Sequence, residues 1–205
     1  MKKIVLLSLL IAFLLSVNSS QAADGGDKPA NYFAIKGGIY SPTDKFDLQA
    51  AVGSSTTHRL DSKIGFNGEL AVGHYFLPAL AMELGAGYFE SRGTAEEVAG
   101  ADAKLRAVPV VVTAKVLLPL GPLEPYGEFG VGGYFSKLYR GGDLPNKNIK
   151  AIFGLHAGAG INFNVTDAAF FGFEGRYIWT EPSWGTTDVR KLDGFTATAD
   201  LGFRY

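Results

Sequence analysis

From residue 32 onward, apolar and non-apolar residues alternate with a period of two, and the alternation restarts eight times. That period puts successive side chains on opposite faces, so each run predicts a half-buried β-strand. The runs are Tyr32 to Tyr40, Lys63 to Phe76, Leu80 to Glu90, Lys104 to Leu118, Glu124 to about Leu138, about Lys150 to Asn164, Ala168 to Thr180, and Gly194 to Tyr205. One face of each is apolar: Phe33, Ile35 and Ile39 in the first, Val108, Val110, Val112, Val116 and Leu118 in the fourth, Phe171, Phe173, Tyr177 and Trp179 in the seventh. The other face is mostly glycine and alanine with a sparse set of charges. A soluble β-sandwich turns a face rich in Lys, Glu and Thr to water. Small residues with a few charges fit the crowded interior of a narrow barrel, and an unbroken apolar face fits contact with lipid.

Length and connection support the barrel. The predicted strands mostly run well beyond the soluble average of about 5–6 residues, and a tilted membrane-spanning strand needs about 9–11. Three links are short: Leu77-Pro78-Ala79, Pro119 to Leu123, and Val165-Thr166-Asp167. Four are long: Ser41 to Ser62, Ser91 to Ala103, Tyr139 to Ile149, and Glu181 to Asp193. Short turns on one side and long loops on the other are the habit of bacterial barrels, with the turns periplasmic and the loops outside. The loops around Thr56, Glu97, Asn146 and Trp184 are therefore expected outside. The predicted fold is all-β, an eight-stranded antiparallel transmembrane β-barrel over residues 32–205.

The start of the chain predicts export. Lys2 and Lys3 precede an apolar run from Ile4 to Val17, and small residues at Ser20 and Ala22 suit a signal peptidase. The expected signal peptide is 1–22, cleaved after Ala22, with a polar lead-in over 23–31. The run is shorter than the roughly 20 residues of a spanning helix, and no later segment is long and apolar enough for one. If the mature chain lies in a membrane it does so as a closed barrel, which alone among β-structures satisfies every backbone group.

Composition narrows the reading further. The chain has 27 glycines in 205 residues, and 19% of its residues are charged, against about 25% in soluble proteins. There is no cysteine, so neither a disulfide nor a lipid-bearing cysteine is available. Without Lys2 and Lys3, 17 basic residues face 20 acidic ones. That balance gives no reason to expect nucleic acid as a partner.

At the C-terminus, ATADLGFRY places Leu201, Phe203 and the final Tyr205 on one apolar face. This resembles the terminal signal by which the barrel assembly machinery recognises outer-membrane proteins. With the hairpin segments GHYF…LAMELGAGY and EPYGEFGVGGYF, the region from about Tyr32 to Tyr205 resembles the small eight-stranded outer-membrane barrels of Gram-negative bacteria. That superfamily includes OmpA-type transmembrane domains and the OmpX-, OmpW- and opacity-type proteins. The resemblance implies a place in the outer membrane, with lipid and lipopolysaccharide around the barrel. Unlike full-length OmpA-type proteins, the chain is expected to carry no peptidoglycan-binding domain. The superfamily holds adhesins, structural proteins, small channels and lipid-modifying enzymes, so fold leaves function open.

Candidate chemistry is sparse. A lipid A deacylase-type barrel needs a nucleophile beside a histidine, and neither His74 nor His156 is followed by one. His58 falls in the first long link. No two histidines have metal-ligand spacing, and no cofactor is implied. Gly130-Val131-Gly132-Gly133 and Gly158-Ala159-Gly160 match no phosphate-loop pattern and lie within strands, where close packing accounts for them. The inward parity collects Lys36, Glu69, Glu83, Lys115, Glu128, His156, Glu174, Arg176, Asp200 and Arg204. An eight-stranded barrel is just wide enough for side chains to fill it, so these groups are expected to pair and plug the lumen. Hairpin register predicts Lys115 opposite Glu128, and Lys36 meeting Glu69 or Asp200. The expected role is a structural or surface-interaction barrel, not an enzyme, with an unknown extracellular ligand. The alternative is a narrow OmpW-like channel for small or apolar solutes, and after it a lipid A-modifying enzyme.

Overall fold

The computed structural model describes residues 31–43, 46–49, 57–94, 102–140, 150–180 and 192–205. The expected signal peptide, most of the lead-in and the four loop centres lie outside them. The described residues form ten strands: β1 (Asn31–Pro42), β2 (Phe46–Gln49), β3 (Thr57–Lys63), β4 (Gly65–Leu77), β5 (Leu80–Thr94), β6 (Asp102–Leu117), β7 (Leu123–Arg140), β8 (Lys150–Asn164), β9 (Ala169–Thr180) and β10 (Gly194–Arg204). β1 and β4 to β10 make the barrel. Each pairs with its sequence neighbour, β1 pairs with both β4 and β10, and all pairings are antiparallel. The eight runs of alternation are these eight strands.

The first long link departs from the expectation of a plain loop. It contains β2 and β3, a short hairpin pairing Phe46 with Leu60 and Asp47 with Arg59. β3 also pairs with the upper end of β5, Lys63 opposite Arg92 and Asp61 opposite Thr94. It therefore extends β4 past an interruption at Ile64. The pairing of β5 shifts by one residue across that point, since Asn67 lies opposite Phe89 on β4, so the interruption acts as a β-bulge. All six residues from Ser54 to Arg59 are polar and break the period-two pattern ahead of β3, and the alternation of Phe46-Asp47-Leu48-Gln49 in β2 is only four residues long, so neither strand stood out in the sequence.

All three short connections are tight turns. Pro78 and Ala79 join β4 to β5. Leu120 and Leu123 exchange backbone hydrogen bonds of 2.8 and 3.4 Å around Gly121 and Pro122. The third turn is closed by Val165 N–H and Thr166 N–H donating to the Ala169 carbonyl. In the β5–β6 ladder, pairing stops after Ala86–Val110 and resumes at Phe89–Ala107. Pro109, which has no N–H to give, lies in that gap.

The outer face is apolar, as the pattern predicts. Ile35, Phe66, Leu70, Val116, Phe129, Phe153, Phe173, Leu201 and Phe203 are all exposed. Such a girdle would be unstable in water and suits lipid. Among the described residues, no helix is long and apolar enough to cross a membrane.

Candidate functional site

The inward side chains stack in three layers along the barrel axis. The middle layer is ionic. β1 brings Lys36, β4 Glu69, β5 Glu83, β6 Lys115, β7 Glu128, and β9 both Glu174 and Arg176, every one of them buried. Lys36 Nζ lies 2.6 Å from Glu83, 3.0 Å from Glu174 and 3.2 Å from Glu69. Lys115 Nζ lies 3.0 Å from Glu83 and 3.2 Å from Glu174. The Arg176 guanidinium reaches three carboxylates, Glu128 at 2.8 Å, Glu174 at 2.8 Å and Glu69 at 3.1 Å. Each cation thus bridges carboxylates on different strands. That is how a dry interior holds charge without leaving it uncompensated.

Register places these residues by simple geometry. Lys115 is directly opposite Glu128, though their charged atoms are 3.8 Å apart and its shorter contacts go to Glu83, its diagonal neighbour on β5, and across the lumen to Glu174. Lys36 is directly opposite both Glu69 and Asp200. Its ammonium goes to Glu69, and more closely to Glu83 and Glu174, while Asp200 accepts a hydrogen bond of 2.8 Å from Thr198. Neighbour-strand reasoning finds the first kind of contact and misses the cross-lumen kind, which depends on the barrel being closed and narrow.

Two further residues fall outside the ionic layer. Arg204 joins a separate pair near the turns, 3.0 Å from Glu124 and 2.7 Å from Asn164 Oδ1. Glu124 belongs on the list of lumen charges and was missed, although it shares inward parity with Glu128 on the same strand. His156 is fully buried, with Nε2 2.9 Å from Thr113 Oγ1. His74 lies at the rim on the outward parity, hydrogen-bonded to Asn31 at 2.8 Å, and the side chain of His58 on β3 is outside the described set.

Apolar layers lie above and below the charges. On the loop side Tyr40, Phe89, Leu105, Ala107, Val111, Tyr134, Ile152, Ile178 and Leu192 form one buried cluster. On the turn side Tyr32, Ala34, Ala71, Ala81, Leu117, Tyr126 and Phe170 form another, with Tyr75 against it. The sequence reading gave the inner face mostly glycine and alanine with a sparse set of charges; large rings occupy it too. They fit because glycines face them. Tyr32 is directly opposite Gly73, Tyr126 opposite Gly160, Phe170 opposite Gly202, and the His156 ring opposite Gly130. A Cβ at any of these four glycines would run into the ring it faces. The glycine richness therefore makes sockets for rings.

Turn-side rings also serve the charges. Tyr32 Oη donates to Glu83 at 2.9 Å, and Tyr126 Oη donates to Glu174 at 3.1 Å. Lys115 Nζ stands 4.6 Å from the Tyr126 ring centre, and the Arg204 guanidinium 4.7 Å from that of Phe170, both within cation–π reach. A small cavity between this cluster and the ionic layer, lined in part by Lys36, Glu83, Lys115, Asn162 and Asp200, has room for about one water molecule. No group of three or more metal-ligating side chains occurs among the described residues.

Solved structures share this architecture at low sequence identity. The outer membrane protein OprG from Pseudomonas aeruginosa is 15% identical with a TM-score of 0.61, over 88% of this chain and 98% of that one. Neisserial surface protein A is 14% identical with a TM-score of 0.53, over 89% of this chain and 100% of that one. At these identities the likeness is one of fold. A search of curated protein sequences found no match. Residues 10–203 match the family described as outer membrane protein beta-barrel domain, and with eight closed antiparallel strands inside an apolar girdle, the chain belongs to that family of outer-membrane barrels.

Proposed function

We propose that the protein is a closed outer-membrane barrel with a structural or surface-interaction role, its long loops outside the cell and its lumen plugged. The observation that supports this best is the dryness of the ionic layer. Lys36 is 3% exposed, Glu83 2% and Glu174 5%, although they line the axis of a barrel. Side chains buried to this degree support a lumen without a continuous aqueous path. In this reading the chain is exported with cleavage after Ala22, and the assembly machinery reads Leu201, Phe203 and Tyr205. Lipid and lipopolysaccharide surround the apolar girdle, and the loops carry whatever extracellular contact exists.

Planar-bilayer recording on the refolded, signal-free chain tests this. The expected result is a silent bilayer, or rare brief openings. Steady ohmic conductance would replace the plug with the narrow-channel reading. Loss of an acyl chain from lipid A incubated with the protein, read by mass spectrometry, would bring in the enzymatic one.

A further inference from the structure

The ionic layer is short of positive charge. It contains the carboxylates of Glu69, Glu83, Glu128 and Glu174, and Asp200 stands at the same height, directly opposite Lys36. Against these five are three cations, Lys36, Lys115 and Arg176, and none of the eight residues is more than 8% exposed. Arg204 cannot make up the difference, because its guanidinium lies 3.0 Å from Glu124 near the turns and balances that carboxylate. Nor can His156. An imidazolium donates from both ring nitrogens, and the buried Nδ1 has no hydrogen-bond partner. With every group ionised, three positive charges would face five negative ones, a net of −2.

The contacts show where the shortfall falls. Each cation is committed to three glutamates: Lys36 to Glu69, Glu83 and Glu174, Lys115 to Glu83, Glu128 and Glu174, and Arg176 to Glu69, Glu128 and Glu174. Among the described residues no cation forms an ion pair with Asp200, whose carboxylate accepts a hydrogen bond from Thr198 Oγ1. The groups facing Asp200 come from every neighbouring strand. Lys36 is opposite on β1, and Glu174 is diagonal on β9 with Tyr126 of β7 bonded to it. Across the small cavity stand Glu83 of β5, Lys115 of β6 and the uncharged Asn162 of β8, with the rings of Tyr32 and Tyr75. Glu128 is the next least satisfied, since its buried Oε2 accepts no hydrogen bond.

A dry site does not keep an uncompensated carboxylate; the group takes up a proton and becomes neutral. We infer that the ionic layer is a proton-binding site, holding two protons that balance its surplus carboxylates, one of them on Asp200, and that the lumen stays shut while they are bound. A metal cation would supply the same charge, but the cavity beside Asp200 has room for about one water molecule and is walled by two ammonium groups. Loss of the protons at alkaline pH leaves two unbalanced negative charges inside the barrel, and water entering the lumen is what can solvate them. The inference rests on the plugged-lumen reading above and adds what holds the plug.

Infrared spectra of the full mature chain refolded in lipid bilayers read the protons directly. At neutral pH the wild type should show the C=O stretch of protonated carboxyl groups, and alkaline pH should remove it. Asp200→Asn should lose the share of one carboxyl and keep the other. Urea unfolding gives a second readout. Above about pH 6 an unfolded chain has already released its carboxyl protons. The folded layer retains them, so stability should fall as pH rises, by about tenfold in the unfolding constant per pH unit for each proton held. Histidine titration is common to both proteins, so the wild type should lose stability about tenfold per pH unit more steeply than Asp200→Asn. Conductance should appear in the wild type at alkaline pH, and only at higher pH in the variant. Should the variant not fold, the wild-type band and its loss at alkaline pH decide. A silent bilayer at neutral pH with no protonated-carboxyl band would overturn this inference alone, and steady conductance at neutral pH would overturn the plug beneath it. Parallel slopes in the two proteins would remove the proton from Asp200. Closure that follows sodium or potassium concentration at fixed pH would assign the missing charge to a metal cation instead.

Discussion

The two apolar layers that flank the charges in the lumen are built by different means. On the loop side, Tyr40, Phe89 and Tyr134 lie ring against ring, at 4.4 and 6.4 Å between centres. The Tyr40 hydroxyl donates to the Leu192 carbonyl, away from the charges. On the turn side, Tyr32 and Tyr126 give their hydroxyls to Glu83 and Glu174. The turn-side layer is thus tied to the ionic layer, and a loose ring there exposes a carboxylate. The loop-side layer is held by ring contacts, and shortening Phe89 removes no ion pair of the middle layer.

The largest effect is expected where the tie is strongest. Lys36→Met removes the cation shared by Glu69, Glu83 and Glu174, and should cost about 3–5 kcal/mol in a dry site. Urea unfolding in lipid bilayers measures it. A loss below about 1 kcal/mol, the range of solvated ion pairs, would mean that water reaches the layer and that the contrast between the layers is false.

Phe89→Ala on the loop side should cost about 3 kcal/mol through lost burial and an unfilled cavity, since Phe89 is 1% exposed. Its ion pairs stay intact, so the bilayer should remain silent. A new conductance step in this variant would show that the rings, and not the charges, hold the lumen shut.

The contrast between layers was only half legible in the sequence. Strand identity, inward parity and the Lys115–Glu128 register follow from a period of two and a short turn, and the structure has all three. Two features escaped. Inward rings such as Tyr32, Tyr126 and Tyr134 share parity with charges and glycines, and only the opposing glycine makes room for them. Cross-lumen contacts such as Lys36–Glu174 join residues 138 apart that are not on adjacent strands. They depend on barrel diameter, which no local pattern encodes.

Gly73 and Gly37 test the socket idea directly. A Cβ on Gly73 meets the Tyr32 ring, whereas one on Gly37 has nothing within 4 Å. Gly73→Ala should cost about 1–3 kcal/mol by overpacking, and it should shift Tyr32 away from Glu83. Gly37→Ala, on the outward face, should stay within about 0.5 kcal/mol. Equal effects would mean that the sockets are spare room.

The smallest effect is expected at the Gly121-Pro122 turn, outside both layers. Gly121 has φ of 69°, and it is the one positive-φ glycine among the described residues. Pro122 fixes a negative φ at the next position, so the hairpin needs glycine first, as in a type II′ turn. A Cβ on Gly121 meets nothing within 4 Å, which leaves backbone conformation as the only cost. Gly121→Ala should therefore lose about 1–2 kcal/mol, while Gly121→Asn should lose less, because Asn tolerates the left-handed region. The bilayer should stay silent in both, since this turn lies beyond the last ring of the turn-side layer. Alanine as stable as glycine would mean that the β6–β7 hairpin can close through another turn, and that its register is held by Lys115, Glu128 and Tyr126 inside the barrel.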